Sequence, residues 1–563
     1  MSGVRIGTIL GLSVLLAPLA ALRAGTYYIA PNGSDSTGDG SLTRPWGSIR
    51  YATDHVPDDG STVLLRDGLY VGTQSLGRTF AKPCTIAAEH PYKALLQSPG
   101  NSNRAFYCYS GANAVLQGLN IYGSGSTGSE YVVHISNPAT HDITFDNCFI
   151  HDSYSNDVVK INSGTHHIAF RNCVLYNPPN PGDSQFDINT VTDITIENNI
   201  LLNDYPGSGR PAQDQTHPFI VIKNSGDSSP DFTRRITVRG NVFQNWSGLN
   251  DQSYLLIGED GKPFMEAQDV LVENNLFLFN SPDSQVGAFM VKGGARNITF
   301  RSNTVVGHPV GGSAFAMRMQ KIASNPNMEN IYYYNNIWSD PAGGMVDFSD
   351  GYKSEVSGDL VLSNNLYWNK GKGIPTDSWS ILDPDAPWYD DPRRTSADPL
   401  LGNPSGMVIS RWLASSGQFL SGQDTIRGEF ERLVRLYGAL AAGSPAIDKA
   451  DPAHISFYDI LGNPRGAMGD IGAFERNFAI YGDANEDGIV DMTDYTTWFS
   501  WFGSSAGVGW RQADFNGDGL VDMKDYVVWF DHFGQVQGAS VPEPATLSLL
   551  VLGVLAALRK RRG

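Results

Sequence analysis

The sequence predicts an all-β solenoid, a single-stranded parallel β-helix, followed by a small α-helical domain built on two paired acidic loops. Three observations lead to this expectation. Strand-like segments recur every 25 to 42 residues, the chain has 61 glycines among 563 residues, and two 12-residue acidic loops lie near its C-terminus. A fixed repeat is typical of stacked architectures, and this length indicates more than one folding unit.

The net charge and the composition indicate which classes of function to expect. The net charge is −18, and only 17% of the residues are charged. Nucleic-acid binding needs a basic face, so it is not expected here. The excess of acid instead suits calcium binding and an extracellular setting.

The N-terminal residues 1–24 are interpreted as a secretory signal peptide. Arg5 precedes a mostly apolar run, and small residues follow at Ala21 and Ala24. Cleavage is expected after Ala24. A permanent N-terminal anchor is the alternative.

The repeat consists of segments in which apolar and polar residues alternate, as they do in a half-buried strand. Each segment ends on a pair that contains Asn or Cys. The segments are DITFDNC (142–148), HIAFRNC (167–173), DITIENN (193–199), RITVRGN (235–241), DVLVENN (269–275), NITFRSN (297–303), NIYYYNN (330–336) and DLVLSNN (359–365).

A second type of strand precedes most of these segments, so one coil is expected to hold two strands, a short turn and a variable loop. Coils stack about 4.8 Å apart, and each buries its apolar side chains against its neighbours. The final Asn of each segment should then form a structural ladder at one corner, where Asn tolerates the backbone conformation. These residues are Asn199, Asn241, Asn275, Asn303, Asn336 and Asn365.

The four cysteines fit the same repeat. Cys148 and Cys173 hold equivalent positions in successive segments, and Cys84 and Cys108 are also one coil apart in sequence. Stacked positions lie within disulfide range. Two disulfides and two pairs of buried free thiols both remain open.

Polar side chains recur in the second type of strand and are expected to stack on one face. They are His134, Lys160, Asp187, Lys223, Lys292 and Arg318. A row of cations suits an anionic polysaccharide such as a uronan. Solvated side chains without a catalytic role are the alternative.

The stretches TYYIAPNGSDSTGDGSLTRPWGSI (26–49) and DDGSTVLLRDGLY (58–70) resemble the N-terminal part of right-handed β-helix proteins of the pectate-lyase-like superfamily. The stretches AGSPAIDKA (442–450) and GNPRGAMGDIGAFE (462–475) resemble the closing part of secreted bacterial β-helix proteins. The resemblance implies a β-helix over 25–395, with a short helix capping its open end, and a C-terminal closing segment over 396–477.

Superfamily lyases often use a Lys or Arg base together with calcium. The resemblance therefore implies that the base is one of Lys160, Lys223, Lys292 and Arg318. In this chemistry a cation neutralises the uronate carboxylate and so acidifies the adjacent C–H group.

Glycoside hydrolysis is the second enzymatic interpretation, with Asp157 and Asp187 as a carboxylate pair. The stretch NDVVKINSG (156–164) vaguely resembles the polygalacturonases, but the Gly-His-Gly and Arg-Ile-Lys signatures of that family do not occur in the chain. A non-catalytic surface scaffold that binds carbohydrate or acts as an adhesin also remains open, because the superfamily includes such proteins.

The acidic loops, 483–494 and 514–525, carry oxygen ligands with the spacing of a calcium loop, and a Gly stands at the sixth position. The expected Ca²⁺ ligands are Asp483, Asn485, Asp487, the Ile489 carbonyl, Asp491 and Asp494, and then Asp514, Asn516, Asp518, the Leu520 carbonyl, Asp522 and Asp525.

Because each loop ends on Asp and the two are paired, residues 478–540 resemble a type I dockerin. The resemblance implies a cohesin-like partner bound through Met492, Thr493, Met523 and Lys524. A calcium-stabilised spacer without a partner is the alternative.

The C-terminal residues 541–563 carry Pro-Glu-Pro, a short apolar run and a basic end. They resemble the PEP-CTERM sorting signal, which implies export and processing by an exosortase. A permanent membrane anchor is the alternative. Together these features predict a secreted, cell-surface-directed protein that acts on polysaccharide.

Overall fold

The computed structural model describes residues 24–100, 103–125, 131–179, 183–211, 216–226, 232–248, 252–281, 283, 287–309, 314–322, 324–382, 390–466, 468–476, 480–505 and 508–536. The signal peptide, apart from Ala24, and the sorting tail predicted at 541–563 lie outside these residues. Within the described part of the chain, the helices are too short and polar for any of them to cross a bilayer.

Three parallel sheets form an elongated solenoid, as the repeat predicts. Along the chain, a complete coil contributes one strand to sheet 3, then one to sheet 1, then one to sheet 2. The expectation of two strands per coil is therefore wrong. The sheet 2 strands are only two to four residues long, and central ones such as Ile200–Leu202 are buried on both faces, so they lack the alternation that marks a half-buried strand.

Sheet 1 consists, in spatial order, of Thr26–Ile29, Thr62–Leu65, Thr79–Ala88, Ala112–Gln117, His141–Asp146, His166–Arg171, Thr192–Glu197, Arg234–Arg239, Ala267–Glu273, Ala295–Arg301, Met328–Tyr334 and Val356–Ser363. The last eight of these are the alternating segments of the sequence repeat.

Sheet 2 consists of Gly68–Val71, Ala94–Gln97, Asn120–Tyr122, Phe149–His151, Val174–Tyr176, Ile200–Leu202, Val242–Gln244, Leu276–Phe279, Thr304–Gly307, Ile337–Ser339, Leu366–Trp368 and Thr395–Ser396. Sheet 3 consists of Gln74–Leu76, Phe106–Cys108, Val133–Ser136, Val159–Asn162, Phe186–Asn189, Ile220–Lys223, Leu255–Ile257, Phe289–Lys292, Met317–Gln320 and Ser349–Gly351.

The remaining elements lie outside the solenoid strands. The helices are α1 (Ile49–His55), α2 (Ile426–Leu433), α3 (Met492–Trp501) and α4 (Met523–His532). Short helical turns occur at Lys353–Glu355, Val434–Gly438 and Trp510–Gln512, and Trp412–Leu413 pairs antiparallel with Gln418–Phe419.

The asparagine ladder is present and fully buried at the corner between sheets 1 and 2. In each step the side-chain oxygen accepts from the backbone N–H and the amide of the preceding Asn. For Asn275 these two distances, to Asn241, are 2.9 and 3.0 Å. The left-handed backbone conformation falls on the residue before the ladder, for example Asn274 (φ 54°), and not on the ladder residue itself. The two residues of the pair therefore have different roles. The first turns the chain, and the second joins the coils.

The cysteines are free, buried thiols. Cys84 lies in sheet 1 opposite Ala114, whereas Cys108 lies in sheet 3, so the predicted stacking of these two is wrong. Cys148 and Cys173 do stack, and they extend the asparagine ladder toward the N-terminal end. The Cys148 N–H points to Cys173 Sγ at 3.4 Å, and the Cys173 N–H donates to Asn199 Oδ1 at 2.9 Å.

The N-terminal end of the solenoid is capped by helix α1, as the resemblance implies. The Ser48 side chain caps its first turn, and Ile49, Ala52 and Val56 join the central core. The segment predicted to close the far end, 396–477, instead lies along the outer face of sheet 2. Phe430 and Leu433 of α2 belong to the apolar cluster formed by the outward side chains of that sheet. From Phe149–His151 to Leu366–Trp368, sheet 2 is therefore covered on both faces, whereas Leu69 and Val71 of its first strand are exposed.

Candidate functional site

The side chains on the outer face of sheet 3 form two parallel columns, in which buried or half-buried charged residues recur. The first column contains Tyr107, His134, Lys160, Asp187, Val221, Leu256, Met290, Arg318 and Asp350. The second contains Ser136, Asn162, Asn189 and Lys223, and in later coils Lys292 and Gln320.

The predicted single row of cations is therefore wrong in register. Lys223 lies opposite Asn189, two residues further along its strand than the position that matches Asp187. Because side chains two residues apart share a face of a strand, Lys223 still points to the same side as Lys160 and Asp187.

Some of these charged side chains converge on a group that we call the lysine–carboxylate cluster. Its members come from loops as well as strands. They are Asp157, Lys160, Asp183, Asp187, His217, Lys223, Glu259 and Asp260.

Lys160 lies between two of these carboxylates. Its Nζ contacts Asp187 Oδ2 and is 3.9 Å from Asp157 Oδ2. The two aspartates predicted as a hydrolytic pair thus flank one ammonium group. Burial, followed by the negative charge of Asp187, raises the pKa of Asp157 well above its usual range.

Lys223 bridges the strand and the loop that follows the next strand of sheet 3. Its Nζ contacts Glu259 Oε2 and lies 3.5 Å from Asp187 Oδ2 and 3.6 Å from Asp260 Oδ1. His217 Nδ1 lies 3.5 Å from the other oxygen of Glu259. The structure therefore brings Lys160 and Lys223 together around Asp187.

The loop that presents Glu259 and Asp260 is held rigidly. The fully buried Glu266 accepts from the backbone N–H groups of both residues at 2.9 Å. Gly258 begins the loop with a φ of 78°, and a Cβ there would lie 1.6 Å from the Lys292 carbonyl oxygen. Only glycine fits this turn, so the loop is fixed before any ligand arrives.

The groups of the cluster differ widely in pKa. Burial raises the pKa of Asp183 to about 6. Burial would also raise the pKa of Glu259, but His217 and Lys223 outweigh it and lower that pKa to about 2. For Lys223, burial lowers the pKa, but Asp187 and Glu259 outweigh it, so the ammonium form is favoured. Such separation is typical of functional sites.

Carboxylates outnumber cationic groups in the cluster. Its five carboxylates face two lysines and His217. Asp187 Oδ1 is buried and has no hydrogen-bond partner. An orphaned carboxylate oxygen in a site with excess negative charge fits a bound cation.

The other two predicted base candidates lie elsewhere on the same face. Lys292 is two coils beyond Lys223, opposite Gln320 of the next strand. Arg318 follows in that next strand, and its Nη2 lies 2.6 Å from Asp350 Oδ2. Neither joins the described contacts of the lysine–carboxylate cluster.

The two acidic loops near the C-terminus have matching internal geometry. Asp494 Oδ1 accepts from the Ala484 N–H and Asp525 Oδ1 from the Phe515 N–H, each at 2.8 Å. Burial raises the pKa of Asp483, Asp494, Asp514 and Asp525. Buried carboxylates gathered in a loop of oxygen donors fit a hard cation.

The helices that follow these loops pack on each other with approximate two-fold symmetry. Trp498 of α3 donates its indole N–H to the Asp522 carbonyl, and Trp529 of α4 donates to the Asp491 carbonyl, both at 2.9 Å. The predicted partner-binding residues begin the two helices and are exposed; they are Met492, Thr493, Met523 and Lys524. The unit contacts the rest of the chain at several points: the Tyr458 hydroxyl donates to the Asn516 carbonyl at 3.1 Å, and the Tyr481 hydroxyl donates to the Gly462 carbonyl at 2.8 Å.

The sequence did not predict that Asp183, His217, Glu259, Asp260 and Glu266 belong to this site. These residues lie in loops of variable length between sheets, where the repeat carries no signal. The pattern GED after a sheet 3 strand is the only local feature that marks the loop.

Family models match two parts of the chain. Residues 133–325, about a third of the chain, match the right-handed β-helix region, and residues 540–562 match the PEP-CTERM protein-sorting motif. A search of curated proteins finds no match. The sorting motif indicates export and sorting to the cell surface.

Solved structures with a similar fold share little sequence with this chain. The pectate lyase Pel9A is 15% identical with a TM-score of 0.43, covering 80% of this chain and 96% of its own. A lacto-N-biosidase of family GH136 from Eubacterium ramulus is 13% identical with a TM-score of 0.46, covering 66% and 68%. An alginate lyase from Paenibacillus sp. strain FPU-7 is 15% identical with a TM-score of 0.38, covering 55% and 94%. The chain thus combines a right-handed β-helix with a C-terminal sorting motif.

Proposed function

We propose that this exported, surface-directed β-helix protein cleaves a uronic-acid-containing polysaccharide by β-elimination on the outer face of sheet 3, with Lys223 as the base. The observation that carries the proposal is the position of Lys223, which is held by Asp187, Glu259 and Asp260.

The fold does not require charge at this place. In the coils that follow Asp187, the same column is filled by Val221 and Leu256, which are buried in an apolar cluster. Burying ionic groups costs free energy that apolar residues of similar volume do not. Function is therefore the better explanation for the lysine–carboxylate cluster.

In β-elimination the base removes the proton next to the uronate carboxyl group. The C=C bond forms as the C–O bond on the neighbouring carbon breaks, and the glycosidic oxygen leaves and takes up a proton from water. Lys223 must be neutral to accept that proton, whereas its carboxylate neighbours favour the ammonium form. A Ca²⁺ ion would be held through the unpartnered Asp187 Oδ1. When bound, it would supply the positive charge that offsets the uronate carboxylate. A cation bound to Asp187 would offset one of the negative charges that raise the pKa of Lys223. Lys223 would then lose its proton more readily and be a better base.

The experiment is a panel of uronans, with the unsaturated product followed by its ultraviolet absorbance. Lys223→Ala should lower kcat by about 100-fold or more, as expected for loss of a general base. Arg235→Ala is the matched control, because Arg235 forms an exposed ion pair with Asp193 on sheet 1. Equal activity of Lys223→Ala and the control would refute the role of Lys223.

Glycoside hydrolysis is the second candidate, supported by one observation. Asp183, with a pKa near 6, and Glu259, with a pKa near 2, are two carboxylates suited to act as acid and as ionised partner. Hydrolysis yields saturated reducing ends without ultraviolet absorbance, so the same panel separates the two reactions. Silence in both assays with retained sugar binding would favour a non-catalytic surface protein.

We further propose that residues 478–540 form a dockerin-like unit that binds two Ca²⁺ ions and presents Met492, Thr493, Met523 and Lys524 to a cohesin-like partner. The proposal is supported by the matching loops and by the two exposed methionines, each 54% exposed at the start of its helix.

The calcium proposal is tested by calorimetric titration of the full chain. Asp494→Asn and Asp525→Asn should each remove one binding event, whereas the exposed control Asp269→Asn should remove none. Unchanged stoichiometry in both loop variants would rule out these loops as calcium sites.

A further inference from the structure

A cleft of ≈350 Å³ lies on the outer face of sheet 3, near the C-terminal end of the solenoid. Its lining combines aromatic rings with charged groups. The main residues are Arg318, Asp347, Asp350, Tyr352, Asp377 and Trp379.

The Trp379 ring forms an exposed platform on a fixed backbone. Trp379 is 50% exposed, and Tyr352 meets its ring edge-on with centroids 5.2 Å apart. The Trp379 N–H donates to Asp377 at 2.7 Å, and its carbonyl accepts from the Gly351 N–H of sheet 3 at 2.9 Å. A large ring that is ordered yet open to solvent is suited to stacking on a flat apolar ligand face.

The polar groups beside this platform are also ordered. Asp347 is only 3% exposed, and its Oδ1 accepts from the Ser380 hydroxyl at 2.7 Å. Asp350 is paired with Arg318. An aromatic platform with a few fixed hydrogen-bonding groups is typical of sites for small polar ligands.

The charged groups of the cleft favour uncharged ligands over anionic ones. Among the described residues that line the cleft, three carboxylates, Asp347, Asp350 and Asp377, face one guanidinium, that of Arg318. A uronate would meet like charge here, whereas the hydroxyl groups of an uncharged sugar can donate to these carboxylates. The cleft is therefore expected to favour an uncharged sugar, whereas the proposed catalytic centre at Lys223 must bind a uronate.

The cleft lies on the same face as Lys223 but not beside it. In the pairing of sheet 3, four steps lead from Val221 through Leu256, Met290 and Arg318 to Asp350. At about 4.8 Å per step the separation is roughly 19 Å, which is the length of several pyranose rings.

We infer that this cleft is a distal subsite for an uncharged pyranose that stacks on Trp379. Resting on the proposed function, this inference extends to the substrate, which is a mixed polysaccharide containing neutral sugars as well as uronate, and not a homopolymer of uronate.

The experiment measures equilibrium binding of oligosaccharides to the full-length Lys223→Ala variant, so that turnover plays no part. The probes are neutral oligosaccharides of xylose, galactose and mannose, compared with oligogalacturonate and oligomannuronate. At least one neutral probe should bind more tightly than the uronates. Adding Trp379→Ala should weaken that binding at least tenfold, which corresponds to about 1.4 kcal/mol.

Two controls make the result specific. Trp501→Ala removes another exposed tryptophan, on α3 outside the solenoid, and should leave sugar binding unchanged. Asp350→Asn should reduce the discrimination against the uronates. Tighter binding of uronates, no binding of any neutral probe, or neutral binding that survives Trp379→Ala would each overturn the inference. Failure of the proposed function would instead be seen as absence of unsaturated product with wild-type protein.

Discussion

The asparagine ladder offers a sharp test of how the coils are held together, and Asn275→Ala is the most informative change. Asn275 is fully buried in the middle of the ladder. Its Oδ1 accepts from the backbone N–H and from the amide of Asn241, and its Nδ2 donates to the Val238 carbonyl and to Asn303 Oδ1.

The magnitude follows from which groups lose their partners. Alanine leaves two buried donors of Asn241 unsatisfied, the backbone N–H and one amide hydrogen. Each unsatisfied buried donor costs about 1–3 kcal/mol, so the free energy of unfolding should fall by about 2–6 kcal/mol. Val238 and Asn303 lose one donor each but are acceptors, for which the loss is less costly.

The assay is urea unfolding of the full chain, with Asn32→Ala as control because Asn32 is exposed. The midpoint of Asn275→Ala should fall, whereas that of the control should change by less than about 0.5 kcal/mol in equivalent stability. If Asn275→Ala lost less than about 1 kcal/mol, the ladder bonds would not carry the coupling between coils that their burial implies.

Two further predictions concern the thiols and the cleft. Denatured, unreduced protein should show four free thiols, because Cys84 and Cys108 lie in different sheets and all four cysteines are unpaired; fewer would contradict this arrangement. Burial, together with Asp377 and Asp350, raises the pKa of Asp347 from 3.8 to about 6, so folding favours its protonated form. The contribution of Asp347 to the free energy of unfolding therefore falls as pH rises from about 4 to about 6. Asp347→Asn should therefore gain stability relative to wild type at pH 7 compared with pH 4 in urea unfolding, and equal relative stability at both pH values would contradict the assignment.

The solenoid could be predicted because its signal is local and repeated. Alternating segments such as 193–199 carry both the strand period and the Asn pair, and the same physical constraint recurs in each coil. Sheet 2 could not be predicted in this way. The segment 396–476 covers its outer face, so strands such as Ile200–Leu202 are apolar throughout and too short to show a period.

The candidate site could be predicted only in part. The sequence marks Lys160, Asp187 and Lys223 as polar positions in otherwise apolar strands, but it does not give their register. An error of two residues keeps a side chain on the same face, so alternation alone does not separate Lys223 from the column of Asp187. The contributions of Glu259 and Asp260 depend on a loop whose turn is set by Gly258 and whose backbone is held by Glu266.

The sequence by itself determined the repeat, the ladder residues, the spacing of oxygen donors in the two acidic loops and the sorting motif. Each of these is written in a short stretch of chain, where neighbouring residues define the geometry. Only the tertiary structure decided which charged side chains lie in contact. Lys223 and Asp187 are 36 residues apart, and the Trp379 platform joins the same face from a loop beyond the last strand of sheet 3. Contacts of that kind depend on the stacking of whole coils and on the length of the loops between them, which no local pattern records.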